Sequence, residues 1–230
     1  MRIPTLLLAL PLFLAFSNVG ILAQDGKTVE LAAPQKTGGK PLLDTLAARA
    51  TSRAFDAKAP GLTARQISDL LWATFGTNRP DGRRTAPSAM NRQDLTLYVL
   101  LETGTFIYDA GKHQLLPVLK NGKPVGDIRV LGGNQDFVKK APLTLVYVSD
   151  FTKLGQEGKS PESNAAAREM AGVAAGAASQ NASLYCASED LLTGVRMSIP
   201  KAKLAAALDL RADQWIVLAQ SVGRKAEEKK

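Results

Sequence analysis

The sequence predicts an α+β domain with a largely antiparallel sheet, and three observations carry that prediction. Helix-like and strand-like patterns come in blocks rather than in regular alternation. They run as helices, a strand meander, a single strand, a long helix, a short helix and a final strand. The meander, "LTLYVLLETGTFIYDAGKHQLLPVL", turns at Thr103–Gly104 and again at Ala110–Gly111, which joins neighbouring strands antiparallel. Finally, the stretch from Ser163 to about Asp190 reads as one long helix of unusually small side chains. Small side chains let backbones approach closely, so this helix is expected to be central and packed against another helix.

Each element follows from its own chemistry. "PLLDTLAARATSRAF" repeats apolar residues at Leu42, Leu43, Leu46 and Ala47, a helical spacing that would set Arg49 and Arg53 one turn apart near its end. "LTARQISDLLWATFG" opens on Thr63 as N-cap, repeats apolar positions at Ile67, Leu70, Leu71, Trp72 and Phe75, and closes on Gly76. "PLTLVYVSD" is a buried strand by its β-branched and aromatic content. Gln180 and Asn181, polar within the long helix, are expected to need partners there. "KAKLAAALDL" is a short amphipathic helix and "DQWIVLAQSVG" the last strand.

The 230 residues suit one well-packed domain. A hydrophobic fraction of 45% with 22% charged residues argues against global disorder. The formal charge is +8, but the cations are scattered and accompanied by acids. With no basic stripe interleaved by aromatics, nucleic acid is not an expected partner. Residues 1–23, with Arg2 followed by an apolar core from Leu6 to Phe16, form a secretory signal pattern. Small residues allow cleavage after Ser17 or after Ala23, and the apolar core is short for an uncleaved anchor. The expectation is export to the periplasm or beyond, with no membrane span once the signal is removed. Residues 24–41 read as a flexible lead-in, 42–225 as the domain and 226–230 as a charged tail.

One cysteine, Cys186, forbids an intrachain disulfide, and its Ala-rich helical setting makes it a buried structural thiol. With His113 as the single histidine, neither a zinc site nor Ser-His-Asp or Cys-His catalysis has enough members. An enzyme built from this chain must take its chemistry from a cofactor.

Three polar groups are candidates. They are Arg49, Thr51 and Arg53; the loop "RRTAPSAMNRQ" with Ser88, Asn91 and Gln93; and Arg224 with Lys225 at the end of the last strand. Two cations and a hydroxyl suit a phosphate monoester, which carries nearly two charges and three acceptor oxygens. The amides of the loop suit the edge of a flat heterocycle that both gives and takes hydrogen bonds. Spacing does not bring these groups together by itself. Arginines near a helix end are more often a solvated face.

Taken as an ordered set, the blocks "RATSRAF", "LLWA", "RTAPSAMNRQ", "SQNASLYCASEDLLTGVR" and "WIVLAQSVGRK" resemble the nitroreductase family of FMN enzymes, most closely its SagB/ThcOx-like branch. The resemblance spans about residues 42 to 225. It implies an α+β homodimer with FMN at the subunit interface and the long helix in that interface. From the small-residue pattern alone, packing within one chain is an equal alternative. The resemblance also implies that Arg49 and Thr51 hold the phosphate with Arg224 or Lys225, and that Arg53 faces the pyrimidine side of the flavin. Ser88, Asn91 and Gln93 would contact the isoalloxazine or ribityl chain, and the backbone of Leu192, Thr193 and Gly194 would approach N5.

The implied activity is hydride transfer through flavin N5 to a small electron-poor acceptor such as a nitro compound or quinone. NAD(P)H or another reductant would be the donor. The alternative is an exported flavin-family fold without reductase activity, acting as a binding or structural protein. Two departures bear on the phosphate clamp: Ala50 replaces a second basic residue common in the family, and little chain follows Gly223. The azoline-oxidising relatives use a Lys-Tyr pair as base, and no Lys-Tyr dipeptide occurs here, which argues against that reaction.

Overall fold

A computed structural model describes residues 26–156 and 161–225. The signal-like segment and the charged tail lie outside the described residues. Seven strands form one sheet in the order β1-β4-β3-β2-β7-β9-β8, and every neighbouring pair is antiparallel. They are β1 (Val29–Glu30), β2 (Leu95–Leu101), β3 (Gly104–Asp109), β4 (Gln114–Pro117), β7 (Leu143–Asp150), β8 (Leu192–Arg196) and β9 (Gln214–Gly223). A separate small hairpin pairs β5 (Leu119–Lys120) with β6 (Lys123–Pro124). The helices are α1 (Leu42–Ala48), α2 (Ala64–Phe75), α3 (Asp136–Lys140), α4 (Ala165–Ser188) and α5 (Lys201–Ala207). The fold is the predicted α+β class, with an antiparallel sheet flanked by helices.

Strand alternation divides the core into two layers. Leu95, Leu97, Val99 and Leu101 of β2, with Leu143, Leu145 and Tyr147 of β7, pack with α2 and α4. Tyr98 and Leu100, with Val146 and Val148, turn the other way and meet Leu204 and Leu208 at α5. The α2 N-terminus carries the predicted cap. Thr63 Oγ1 accepts from Gln66 N at 3.1 Å, and Gln66 Oε1 accepts from Thr63 N at 3.1 Å. Such reciprocal capping satisfies two donors that the helix cannot.

Helix α4 packs against α2 and α1 through its alanines. Ala167, Ala171, Ala174, Ala175, Ala178, Ala182 and Cys186 are buried on one face, while Gly172, Val173, Gly176 and Gln180 are exposed on the other. Gln180 therefore needs no buried partner, contrary to the expectation from sequence. Cys186 is a buried thiol whose pKa burial pushes up to about 12, as a structural cysteine requires.

Three further expectations are corrected. The first helix stops at Ala48, and Arg49 caps it in extended conformation (φ −60°, ψ 117°), so Arg49 and Arg53 are not one helical turn apart. The chain leaves the helix because Ser52 N donates instead to Thr193 O, at 2.8 Å, on the edge of β8. The apolar side chains expected to bury this helix, Leu42, Leu43 and Leu46, are exposed at 65%, 76% and 46%. The lead-in is also tied down over much of its length. Val29 and Glu30 pair with β4, Gln35 N donates to Asp69 Oδ1 at 2.8 Å, and Lys40 N donates to Ser188 Oγ at 2.9 Å.

Candidate functional site

At one end of the sheet, residues 49–56 run beside β8 and then cross to the end of β9. Two backbone bonds fix that path: Ser52 N to Thr193 O, and Asp56 N to Arg224 O at 3.1 Å. Gly194 permits the close approach, because a Cβ there would stand 3.0 Å from Ser52 O. Thr51 and Arg53 are thereby gathered against Gly194, with Arg49 three residues before the Ser52 bond, although nearly 150 residues separate the segments.

The electrostatics of this end are one-sided. Arg49 is half-buried, Thr51 and Arg53 are exposed, and among the described residues neither arginine pairs with a carboxylate. The Arg53 guanidinium lies over the Phe137 ring, 5.6 Å from its centroid. Arg224 donates through Nη2 to Gln66 Oε1 at 2.6 Å, while its buried Nε has no partner. Lys225 is exposed beside it.

Behind the Thr193 backbone lies a fully buried amide network. Gln220 Oε1 accepts from Tyr147 Oη at 2.7 Å. Gln220 Nε2 donates to Thr193 Oγ1 at 2.9 Å and Ser183 Oγ at 3.1 Å, and Thr193 Oγ1 donates onward to Ser221 O at 3.0 Å. Burial raises the Tyr147 phenol far above its ordinary pKa, so it stays a neutral donor. A satisfied network of this kind fixes β7, β8, β9 and α4 relative to one another, and with them the 192–194 backbone.

The other end of the sheet holds the loop that leads into β2. Ser88 Oγ accepts from Gln93 N at 2.9 Å. Gln93 accepts from Arg84 Nε at 3.0 Å and donates to Asn91 Oδ1 at 3.2 Å and Gly82 O at 3.1 Å. Met90, Asn91 and Gln93 all have positive φ, at 48°, 53° and 47°. Three such residues within four positions is a costly backbone, of a kind found where a chain must present particular groups. Met90 points out at 76% exposure. A cavity of about 530 Å³ opens beneath the loop, lined by Arg84, Asn91, Gln93, Tyr108 and Lys153 among others.

Within one protomer the two ends do not meet. Leu95, Ser149 and Trp215 share a register at the loop end, and Leu101, Leu143 and Val222 share one at the cationic end. Seven residues of strand at about 3.3 Å per residue put roughly 20 Å between them. The structure thus joins Arg49, Thr51 and Arg53 with Leu192, Thr193, Gly194, Arg224 and Lys225, and leaves Ser88, Asn91 and Gln93 apart.

A profile of the nitroreductase family matches residues 46–224. The chain belongs to the nitroreductase family. A crystal structure described as a nitroreductase from Ralstonia eutropha JMP134 is 37% identical, with a TM-score of 0.76 over 87% of this chain and 90% of that one. A protein described as a nitroreductase from Methanocaldococcus jannaschii is 28% identical over 135 residues, which is 56% of this chain and 66% of that protein. The NADPH:FMN oxidoreductase of Vibrio harveyi, solved with NAD+, is 18% identical and has a TM-score of 0.55 over 82% of this chain and 71% of that one, a likeness of fold.

This nitroreductase-family chain also places residues at the cationic end that its sequence did not single out. Arg196, Gln135 and Phe137 stand beside Arg53 and β8. Gln135 Oε1 is buried without a partner. The Gly132–Gly133 pair was the one available signal, since consecutive glycines outside a turn mark a close approach.

Proposed function

We propose that this chain is an FMN-dependent oxidoreductase of the SagB/ThcOx-like branch, with each pocket completed by a second copy. The observation that carries the reading is the group Arg49, Thr51, Arg53 and Arg224, drawn from distant segments to one end of the sheet with no acidic partner among the described residues. That donor set fits FMN. A dianionic phosphate asks for guanidinium and hydroxyl donors, and the buried, unpartnered Nε of Arg224 stands in the same neighbourhood.

In this reading Arg49 and Thr51 bind the phosphate, with Arg224 or Lys225 assisting. Arg53 would turn its charge toward the pyrimidine edge, and the 192–194 backbone would approach the N5 region. The bound flavin supplies two-electron hydride chemistry at N5, so the protein needs no acid or base of its own. Its residues bind, orient and exclude water. NAD(P)H or another reductant is the donor, and a flat electron-poor molecule such as a nitro compound or quinone the acceptor.

A homodimer is supported by the separation of the two half-sites, since Ser88, Asn91 and Gln93 reach a flavin only from a partner protomer. The exposed apolar side chains Leu42, Leu43 and Val173, on helices α1 and α4, provide a surface for that partner. Residues 1–23 support export, which a mature protein beginning near residue 18 or 24 in a periplasmic or secreted fraction would verify.

The deciding experiment is an absorbance spectrum of the purified protein with its solution mass. A yellow dimer holding one FMN per chain is expected. A colourless protein that ignores added FMN would establish the alternative, a flavin-family fold acting as a binding protein.

A further inference from the structure

Of the buried charged side chains among the described residues, Arg196 and Asp94 alone lack an ion pair. Arg196 is 7% exposed. Nε donates to Gly132 O at 2.7 Å and Nη1 to Ser221 Oγ at 2.9 Å, while Nη2 is buried with no partner. Desolvation lowers its pKa to about 10, still well above neutrality, so the group remains a cation. A buried guanidinium without a counter-ion is expensive, and an apolar side chain of similar volume would ordinarily serve a core better.

The chain nevertheless shapes itself around this charge. A Cβ on Gly133 would stand 2.6 Å from Nε, and one on Gly132 would stand 2.9 Å from Nη2, so a side chain at either position would displace the guanidinium from the place it holds. Its location is equally specific. Arg196 lies on the same face of β8 as Gly194, two residues or about 7 Å along the strand. Its guanidinium lies 5.8 Å from the centroid of Phe137, the ring that also carries Arg53. The missing counter-charge is thus next to the backbone assigned to the flavin.

We propose that Arg196 is a positioning residue that acts through its fixed charge, favouring the reduced, anionic flavin over the oxidised one. This rests on the FMN reading above. Gain of two electrons and one proton adds one negative charge to the isoalloxazine, and a clamped cation within a low-dielectric wall stabilises that charge without reorganising. Arg53, exposed to solvent, supplies a screened version of the same effect. Arg196 supplies the unscreened one.

The test is the flavin midpoint potential of FMN-loaded protein, measured by spectroelectrochemical titration. Arg196→Met removes the charge, and Arg196→Lys retains it. In Arg196→Met the preference for reduced over oxidised flavin is expected to fall at least tenfold, a drop of about 30 mV for a two-electron couple. Arg196→Lys should restore most of that loss. Ser221→Asp provides a second route, because it sets a carboxylate against Nη1 and neutralises the charge with the fork intact. It should lower the potential similarly even if Arg196→Met does not fold. Wild-type potentials in folded Arg196→Met, or in Ser221→Asp, would overturn the proposal. Failure of the FMN reading is seen separately, as a wild-type protein that binds no FMN at all.

Discussion

At the end of the sheet where β7, β8 and β9 reach Val222 and Gly223, Arg49, Arg53 and Arg196 have no acidic partner among the described residues, while the backbone around them is tightly bonded. Where β2 begins, the reverse holds. Arg84, Asn91 and Gln93 satisfy one another, while the backbone that carries them is strained at three positions. The first arrangement retains unspent charge, as a site for an anion does. The second retains shape, as a surface that presents groups to something outside its own protomer does. On the proposed reading, that difference is what two halves of a pocket shared between copies would show.

The largest expected effect concerns how rigidly the cationic end is built. Gln220→Ala removes the amide that Tyr147, Ser183 and Thr193 share, strands a buried phenol and leaves a cavity, so unfolding free energy should fall by about 3–4 kcal/mol. Urea denaturation checks this, and a loss under about 1 kcal/mol would mean the network does not hold β8 in place.

Next is Arg49→Ala, which should weaken FMN binding by about 1.5–3 kcal/mol, the range of a charge-assisted hydrogen bond. Calorimetric titration of the apoprotein measures it, and an unchanged affinity would remove Arg49 from the phosphate.

A smaller effect separates the ends by pH. His113, in the β3–β4 turn on the loop side, accepts from Tyr108 Oη through Nδ1 and donates through Nε2 to Ser68 Oγ, each at 2.8 Å. Those directions follow from the Ser68 hydroxyl donating to Ala32 O at 2.6 Å. Burial holds the His113 pKa below its ordinary value of 6.5. The unfolded chain therefore takes up a proton that the folded chain refuses. Stability should fall as pH drops through 6.5 and level off once the folded imidazole also titrates. Urea midpoints between pH 7.5 and 5 should show this slope, and His113→Gln should flatten it. The cationic end contributes no histidine to that range.

Least change is expected from Arg92→Ala. The side chain is exposed beside the loop, and both FMN affinity and stability should stay within about 0.5 kcal/mol of wild type. A large loss of affinity would mean the loop works through charge as well as shape.

Much of this was legible in the residues. Thr63, Gln66 and the apolar repeat through Phe75 specify α2 by local chemistry, and the alternation in β2 and β7 assigns both core layers. The ordered blocks around Arg49 and Ser88 were legible as candidates too. What could not be read depends on distant partners. The helix before Arg49 ends early because Ser52 bonds to Thr193, more than a hundred residues on. Leu42 and Leu43 follow a buried pattern yet face outward, which a single chain's periodicity cannot distinguish from an interface. Arg196 looked like an ordinary strand residue, and its burial requires two glycines some sixty positions earlier.

The central claim is that the cationic end of one protomer and the loop of its partner form one flavin pocket. Hybrid dimers test it most directly, with one protomer carrying Arg49→Ala and the other Ser88→Ala and Asn91→Ala, isolated through two different tags and titrated with FMN. In such a dimer one pocket collects both defects and the other none. The account predicts one FMN bound per hybrid with wild-type affinity, although neither parent dimer binds so tightly. Uniformly weakened binding across both sites of the hybrid would show that each pocket lies within a single chain, and would contradict it.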